Sequence, residues 1–212
     1  MQPLNLSLYV ITDEIISRGR SHEEIAELAI SGGADVIQIR DKTCGCRKLT
    51  KIVRNLAVLA NGTGTLLIVN DRLDVALVCG AHGVHLGQGD LRVDTARQLV
   101  PPGFIIGVSV GSAGEAEEAE RNGADYVALS PVFDTRSKRD AGSGHGLVTL
   151  REVRRRVSIP VIAIGGINET NAADVIEAGA DGIAVISAVV ADPDIRAATK
   201  RLKDCIETTR KR

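Results

Sequence analysis

The stretch Gly32-Gly33-Ala34-Asp35-Val36-Ile37-Gln38-Ile39-Arg40, GGADVIQIR (32–40), stops a helix with glycine and then runs on as a short β-rich apolar segment. The same phrase returns as GAHGVHLG (80–87), GADYVALS (123–130) and GADGIAVIS (179–187). Its alanines, at 34, 81, 124 and 180, lie 47, 43 and 56 residues apart. Each interval has room for two strand-helix units, because a crossover with its helix takes at least about a dozen residues. Eight strands are therefore predicted, and four further apolar runs supply the missing ones: LSLYVIT (6–12), TLLIVN (65–70), FIIGVSV (104–110) and PVIAIG (160–165).

Amphipathic or helix-favouring segments separate these runs. They include SHEEIAELAISG (21–32), CRKLTKIVRNLAVLA (46–60), SAGEAEEAERNG (112–123) and DPDIRAATKRLKDCIETT (192–209), several of them opened by Ser, Thr or Asp at a capping position. Short apolar strands alternating with helices predict a parallel sheet covered by helices. Eight such units predict a closed α/β (β/α)8 TIM barrel, one domain over residues 1–212. The alternative, an open doubly wound sheet for a dinucleotide, lacks a G-x-G-x-x-G after the first strand. No linker or low-complexity tract interrupts the pattern. The one long irregular segment, SPVFDTRSKRDAGSGHG (130–146), is of the length that forms lids or binding loops.

A chain of 212 residues with 44% hydrophobic and 25% charged residues has the composition of a globular protein. Its formal net charge of -1 offers no electrostatic case for nucleic acid or an anionic membrane. No apolar run reaches about 18 residues and the start MQPLNLSLYV lacks a basic region, so a cytoplasmic location is the default expectation. Cys44, Cys46, Cys79 and Cys205 form no C-x-x-C pair and have no His at finger spacing, which points to free thiols and away from a structural zinc finger. The oligomeric state stays open, a homo-oligomer among the options.

In such a barrel the active site lies at the C-terminal ends of the strands. Those ends carry Thr12-Asp13, then Gln38, Arg40 and Lys42, then Asn70-Asp71-Arg72, His85 with Gln88-Gly89-Asp90, Ser109, Thr135 to Lys138, Gly165-Gly166-Ile167, and Ser187-Ala188. Residues 38, 40 and 42 alternate along one strand face, so the reading sets Gln38 beside Arg40 and Lys42 at the rim. Arginine binds phosphate bidentately and lysine adds a compact charge, which suits an anion; the plain alternative is an ion pair with Asp41 or Asp71. Asp71 and Asp90 follow the third and fourth strands, so their hard oxygens can converge on Mg2+, which takes one or two carboxylates plus substrate phosphates. Alternatively Asp71 caps a helix and Asp90 closes a turn. AIGGIN and VISA supply small residues and backbone N–H groups where barrels often hold a phosphate. Lys138 sits on a segment able to close over the mouth, beside the hydroxyls of Thr135 and Ser137. His85 reads as a barrel-filling group, Asp13 and His145 as surface or packing residues. No Cys-His or Ser-His-Asp signature is visible.

Taken in order, LYVITD, QIRDK, VNDRLDVAL, GVHLGQGDL, GVS, DYVALSPVFDTRSK, IPVIAIGGI and GIAVISA resemble the thiamine-phosphate synthase family over nearly the whole chain. The resemblance implies an Mg-dependent transferase of thiamine biosynthesis. Such an enzyme joins 4-amino-5-hydroxymethyl-2-methylpyrimidine diphosphate to a thiazole phosphate, giving thiamine phosphate and diphosphate. It assigns Gln38, Arg40, Lys42, Asn70, Ser109 and Lys138 to the pyrimidine diphosphate and Asp71 and Asp90 to Mg2+. Thr135, Arg136 and Ser137, with Gly165, Gly166, Ile186 and Ser187, go to the thiazole phosphate.

Some departures accompany it. The loop reads T-R-S-K where the family more often has T-x-T-K, and Val110-Gly111 follow Ser109 where many relatives carry a His. The related thiazole tautomerases typically place a His before VF, where this chain has Pro131, and tend to lose the second acid, here Asp90. A tautomerase and a non-catalytic precursor-binding protein are the competing readings.

Overall fold

The computed structural model describes residues 4–135, 137 and 143–211. Eight parallel strands close in sequence order, each hydrogen-bonded to the next and β8 back to β1. They are β1 (Leu8–Thr12), β2 (Val36–Ile39), β3 (Leu66–Asn70), β4 (Gly83–Leu86), β5 (Ile105–Val110), β6 (Tyr126–Leu129), β7 (Val161–Ile164) and β8 (Gly182–Val185). Each is followed by a helix: α1 (His22–Ser31), α2 (Cys46–Ala60), α3 (Leu73–Cys79), α4 (Val93–Leu99), α5 (Ala113–Arg121), α6 (Gly146–Arg156) and α7 (Ala172–Glu177). After β8 come a single turn, α8 (Ser187–Val190), and the closing helix α9 (Ile195–Arg210). The eight-unit barrel read from the sequence is the observed fold.

The strands are apolar throughout because both faces are buried. Tyr9, Ile11, Val36, Ile68, Ile105, Tyr126, Ile162 and Ala184 fill the barrel, while Leu8, Val10, Ile37, Leu67, Ile106 and Ile183 pack outward under the helices. Two capping positions work as read, Ser21 and Ser112, and in the last helix the cap is Asp194, two residues after the Asp192 that opens the stretch. Ser21, Ser112 and Asp194 accept from the backbone N–H groups of Glu24, Glu115 and Ala197.

One strand glycine follows directly from the filling of the barrel. Gly107 pairs with Tyr126, and a Cβ built on it would stand 1.9 Å from the Tyr126 ring carbon Cζ. The missing side chain is the space the ring occupies. Gly107→Ala is expected to cost about 3 kcal/mol, the upper part of the range for overpacking. Urea denaturation measures it, and a variant within about 0.5 kcal/mol of the parent, the size of an ordinary surface change, would contradict this account of the core.

Candidate active site

Strand alternation decides where the residues after β2 go. Val36, Gln38 and Arg40 share the barrel-facing side, but each step of two residues is also about 6.6 Å along the strand. Gln38 therefore lies a layer below Arg40, within the barrel, 2% exposed, and its Nε2 donates to Tyr9 Oη at 3.0 Å. The expectation that it stands at the rim beside the two cations is corrected on that ground. Arg40 and Lys42 do stand at the mouth, half-buried and exposed respectively.

Lys42 Nζ lies 4.0 Å from Asp71 Oδ2, so the ion-pair alternative is realised, and Asp71 also feels the charge of Arg40. Asp71 is a non-glycine residue at φ 62°, in the left-handed region, and its N–H donates to the His85 carbonyl at 2.8 Å. Helix α3 has Arg72 at its N-cap with no side-chain cap, so Asp71 is not spent on capping. Its carboxyl instead meets that of Asp90, which closes its own turn by accepting from Gly87 N–H at 2.7 Å. Burial first, then the hydrogen bond and negative charge of Asp90, raise Asp71 to about 6, against the weaker pull of Lys42 and Arg40. Two converging hard carboxylates, with Asp90 raising the cost of ionising Asp71, are a donor set suited to a divalent cation such as Mg2+. Asn70 ends β3 beside them, half-buried.

Beneath the mouth runs a network the sequence reading did not foresee. Gln38 Nε2 donates to Tyr9 Oη; Tyr9 and Tyr126 hydroxyls lie 2.8 Å apart; Tyr126 Oη is 3.0 Å from His85 Nδ1; and His85 Nε2 is 2.9 Å from Ser109 Oγ. An amide N–H can only donate, and each hydroxyl has one proton, so the direction propagates. With the His85 proton on Nε2, the run is Tyr9 donating to Tyr126, Tyr126 to His85 Nδ1, and His85 Nε2–H to Ser109 Oγ. The Ser109 proton is left for the mouth. Burial pushes both tyrosines well above their ordinary pKa, so both phenols keep their protons. Ser109 and His85 form a serine-histidine pair, yet the third group is a phenol instead of the carboxylate that would support an imidazolium. The signal available in the sequence was that the chain's two tyrosines, Tyr9 and Tyr126, both fall inside predicted strands.

Four strands round the barrel from β3, Thr135, Ser137, Gly165, Gly166, Ile186 and Ser187 line a solvent-open pocket. Ser137 and Ser187 hydroxyls are 3.1 Å apart. The segment after β6 is held against Gly165-Gly166 by Val132 N–H to Ile164 O at 2.8 Å and Phe133 N–H to Gly165 O at 3.1 Å. Both glycines have positive φ, and a Cβ on Gly166 would come within 2.7 Å of Asp134 O. The sequence reading missed α8, whose first residue is Ser187 and which turns the first backbone N–H groups of the helix toward this end of the barrel. Arg136 and Lys138 lie outside the described residues. The His145 ring stands 3.3 Å from where a Gly111 Cβ would be, so it packs over Gly111.

The family model described as thiamine monophosphate synthase matches residues 8–189. A thiamine-phosphate synthase of Methanoregula boonei is 61% identical over 207 residues, covering 98% of this chain and 96% of that protein. One from Methanoculleus marisnigri is 57% identical over 203 residues, covering 96% of each. Among solved structures, a thiamine phosphate pyrophosphorylase from Pyrococcus furiosus superposes with a TM-score of 0.90 at 43% identity, covering 97% of this chain and 98% of that one.

Proposed function

The chain belongs to the thiamine monophosphate synthase family, and from that premise we propose how its own residues carry the reaction. The reaction is the condensation of 4-amino-5-hydroxymethyl-2-methylpyrimidine diphosphate with thiazole phosphate to thiamine phosphate and diphosphate, a transferase step of thiamine biosynthesis. The observation that carries the proposal is the meeting of Asp71 and Asp90 beside Arg40 and Lys42 at one side of the mouth, across from the Gly165, Gly166 and Ser187 pocket.

Asp71 and Asp90 would hold Mg2+, which would neutralise charge on the diphosphate oxygens. Arg40 would grip the diphosphate bidentately, and Lys42, 4.0 Å from Asp71 Oδ2, would add a further charge, with Lys138 assigned to the same group. Asn70 and the outward proton of Ser109 hydrogen-bond the pyrimidine diphosphate. Gln38 acts from below, by orienting Tyr9 and with it the line of donors that ends at Ser109. The thiazole phosphate sits against Gly165, Gly166, Ile186 and Ser187 with Thr135, Arg136 and Ser137. That aims the thiazole nitrogen at the pyrimidine methylene across the mouth. The C–N bond forms there, and the C–O bond breaks with its electron pair leaving on diphosphate. Positioning and charge neutralisation do the work, and no protein nucleophile enters. The site is cytoplasmic in this reading; among the described residues no helix is long and apolar enough to cross a membrane.

Purified protein given both substrates is expected to release diphosphate and form thiamine phosphate with Mg2+ and not with a chelator. The pH profile adds a second readout. Proton and cation compete for Asp71, whose pKa is raised to about 6, so Mg2+ affinity is full above that pH and falls up to about tenfold per unit below it. Product formation indifferent to the chelator would remove the cation from the proposal. Binding or isomerisation of the thiazole phosphate without coupling would remove the reaction.

A further inference from the structure

We propose that Glu14, His22 and Asp41 form a second divalent-cation site, for a borderline transition ion of the Zn2+ type, in the loops after β1 and β2 and separate from the Asp71–Asp90 pair.

The argument begins with an unpartnered nitrogen. His22 is the first residue of α1, and its side chain is 2% exposed. Its Nδ1 lies 2.7 Å from Thr12 Oγ1, and that hydroxyl donates its one proton to the Gln38 carbonyl at 3.3 Å. Nδ1–H then donates to Thr12, and in the neutral imidazole the lone pair lies on Nε2, the atom a metal would take. Among the described residues, Nε2 is buried with no hydrogen-bond partner. What it faces instead is Asp41 Oδ2 at 3.6 Å and Glu14 Oε1 at 4.0 Å. A lone pair turned on two carboxylate oxygens is repulsive, and a cation between the three reverses the sign.

The geometry is close to what such an ion needs. One ligand atom from each residue lies within 4.8 Å of the others. Two ligands at about 2.0–2.2 Å from a tetrahedral zinc are about 3.4 Å apart, so small side-chain movements close the site. Asp41 is already set for it. Its Oδ1 accepts from Thr43 N–H at 2.8 Å, Thr43 Oγ1 at 2.8 Å and Cys44 N–H at 2.9 Å, which pins the carboxyl and turns Oδ2 to His22. Glu14 is about one-third exposed and its other oxygen is 3.9 Å from Lys48 Nζ, so it has room to swing inward. The imidazole sets the class of ion, since a nitrogen donor suits zinc and its neighbours where Mg2+ and Ca2+ prefer all-oxygen sets. Asp41 lies between Arg40 and Lys42, so an ion here would brace the backbone that carries both cations.

The test is calorimetric titration of the chelator-stripped full chain with Zn2+, and absorption spectroscopy with Co2+, for the parent, His22→Gln, Glu14→Gln and the double variant Asp71→Asn, Asp90→Asn. One Zn2+ per chain, kept in the double variant and weakened at least about tenfold in Glu14→Gln and His22→Gln, is expected. The Co2+ ligand-field bands should change in both His22→Gln and Glu14→Gln and stay parental in the double variant, as they must if the imidazole and the Glu14 carboxylate are ligands. Glu14 is on the surface, so its variant decides the matter even if His22→Gln fails to fold. Absence of Zn2+ binding to the parent, or binding unaffected by Glu14→Gln, overturns the proposal.

Discussion

Replacing Asp90 with asparagine is expected to lower kcat/KM for thiamine phosphate formation by about 10² to 10³, the loss that follows removal of one group stabilising developing charge. The reason is specific to the pair. Asp71 and Asp90 are worth most to a cation when both are ionised, and the raised pKa of Asp71 shows how much that ionisation costs without one. The same fact separates this prediction from a general loss of structure. A carboxyl whose folded pKa is raised from 3.8 to about 6 contributes stability below pH 3.8 and loses it as pH rises through 6. At pH 7.5 without metal, Asp90→Asn removes the burden, and the thermal midpoint should hold or rise while activity collapses. Thermal melts with and without Mg2+ at pH 5 and 7.5, beside steady-state kinetics, check both halves. Activity and stability falling together would mean that Asp90 is a turn residue, bound to Gly87 N–H, and little else.

Arg40→Ala should cost nearly as much, about 10² in kcat/KM, and Arg40→Lys should recover only part of it. A guanidinium grips two phosphate oxygens through a planar fork, and an ammonium supplies charge without that geometry. Arg40 also lowers the pKa of Asp71, so its loss should move the acid limb of the pH profile upward. Kinetics over pH for the three proteins would measure this. Full recovery by lysine would show that Arg40 acts as a point charge, and an alanine variant with parental turnover would take it out of the site.

The fold was legible because it is written in repeats. Glycine-alanine stops before apolar runs, at intervals that fit two strand-helix units, leave a closed barrel as the economical solution, and the barrel rule then sends every polar strand end to one mouth. Arg40, Lys42, Asp71, Asp90, Ser109 and Ser187 were all found that way. Depth was not legible. Alternation tells which face a side chain takes and says nothing about its height on that face, so Gln38 and Arg40 read as neighbours when one sits a layer below the other. Partners from distant strands were not legible either. Tyr9, His85 and Tyr126 come from β1, β4 and β6 and meet only because the sheet closes.

By itself, then, the sequence determined the barrel, the mouth at which the polar strand ends gather and the residue types available there, since period, turn chemistry and charge are local properties of the chain. The tertiary structure alone decided that Asp71 and Asp90 face each other, that side chains from five strands join in one hydrogen-bonded line ending at Ser109, and that a buried His22 nitrogen looks onto Glu14 and Asp41. Each of these depends on through-space distances between loops and strands, and closing the sheet is what fixes those distances.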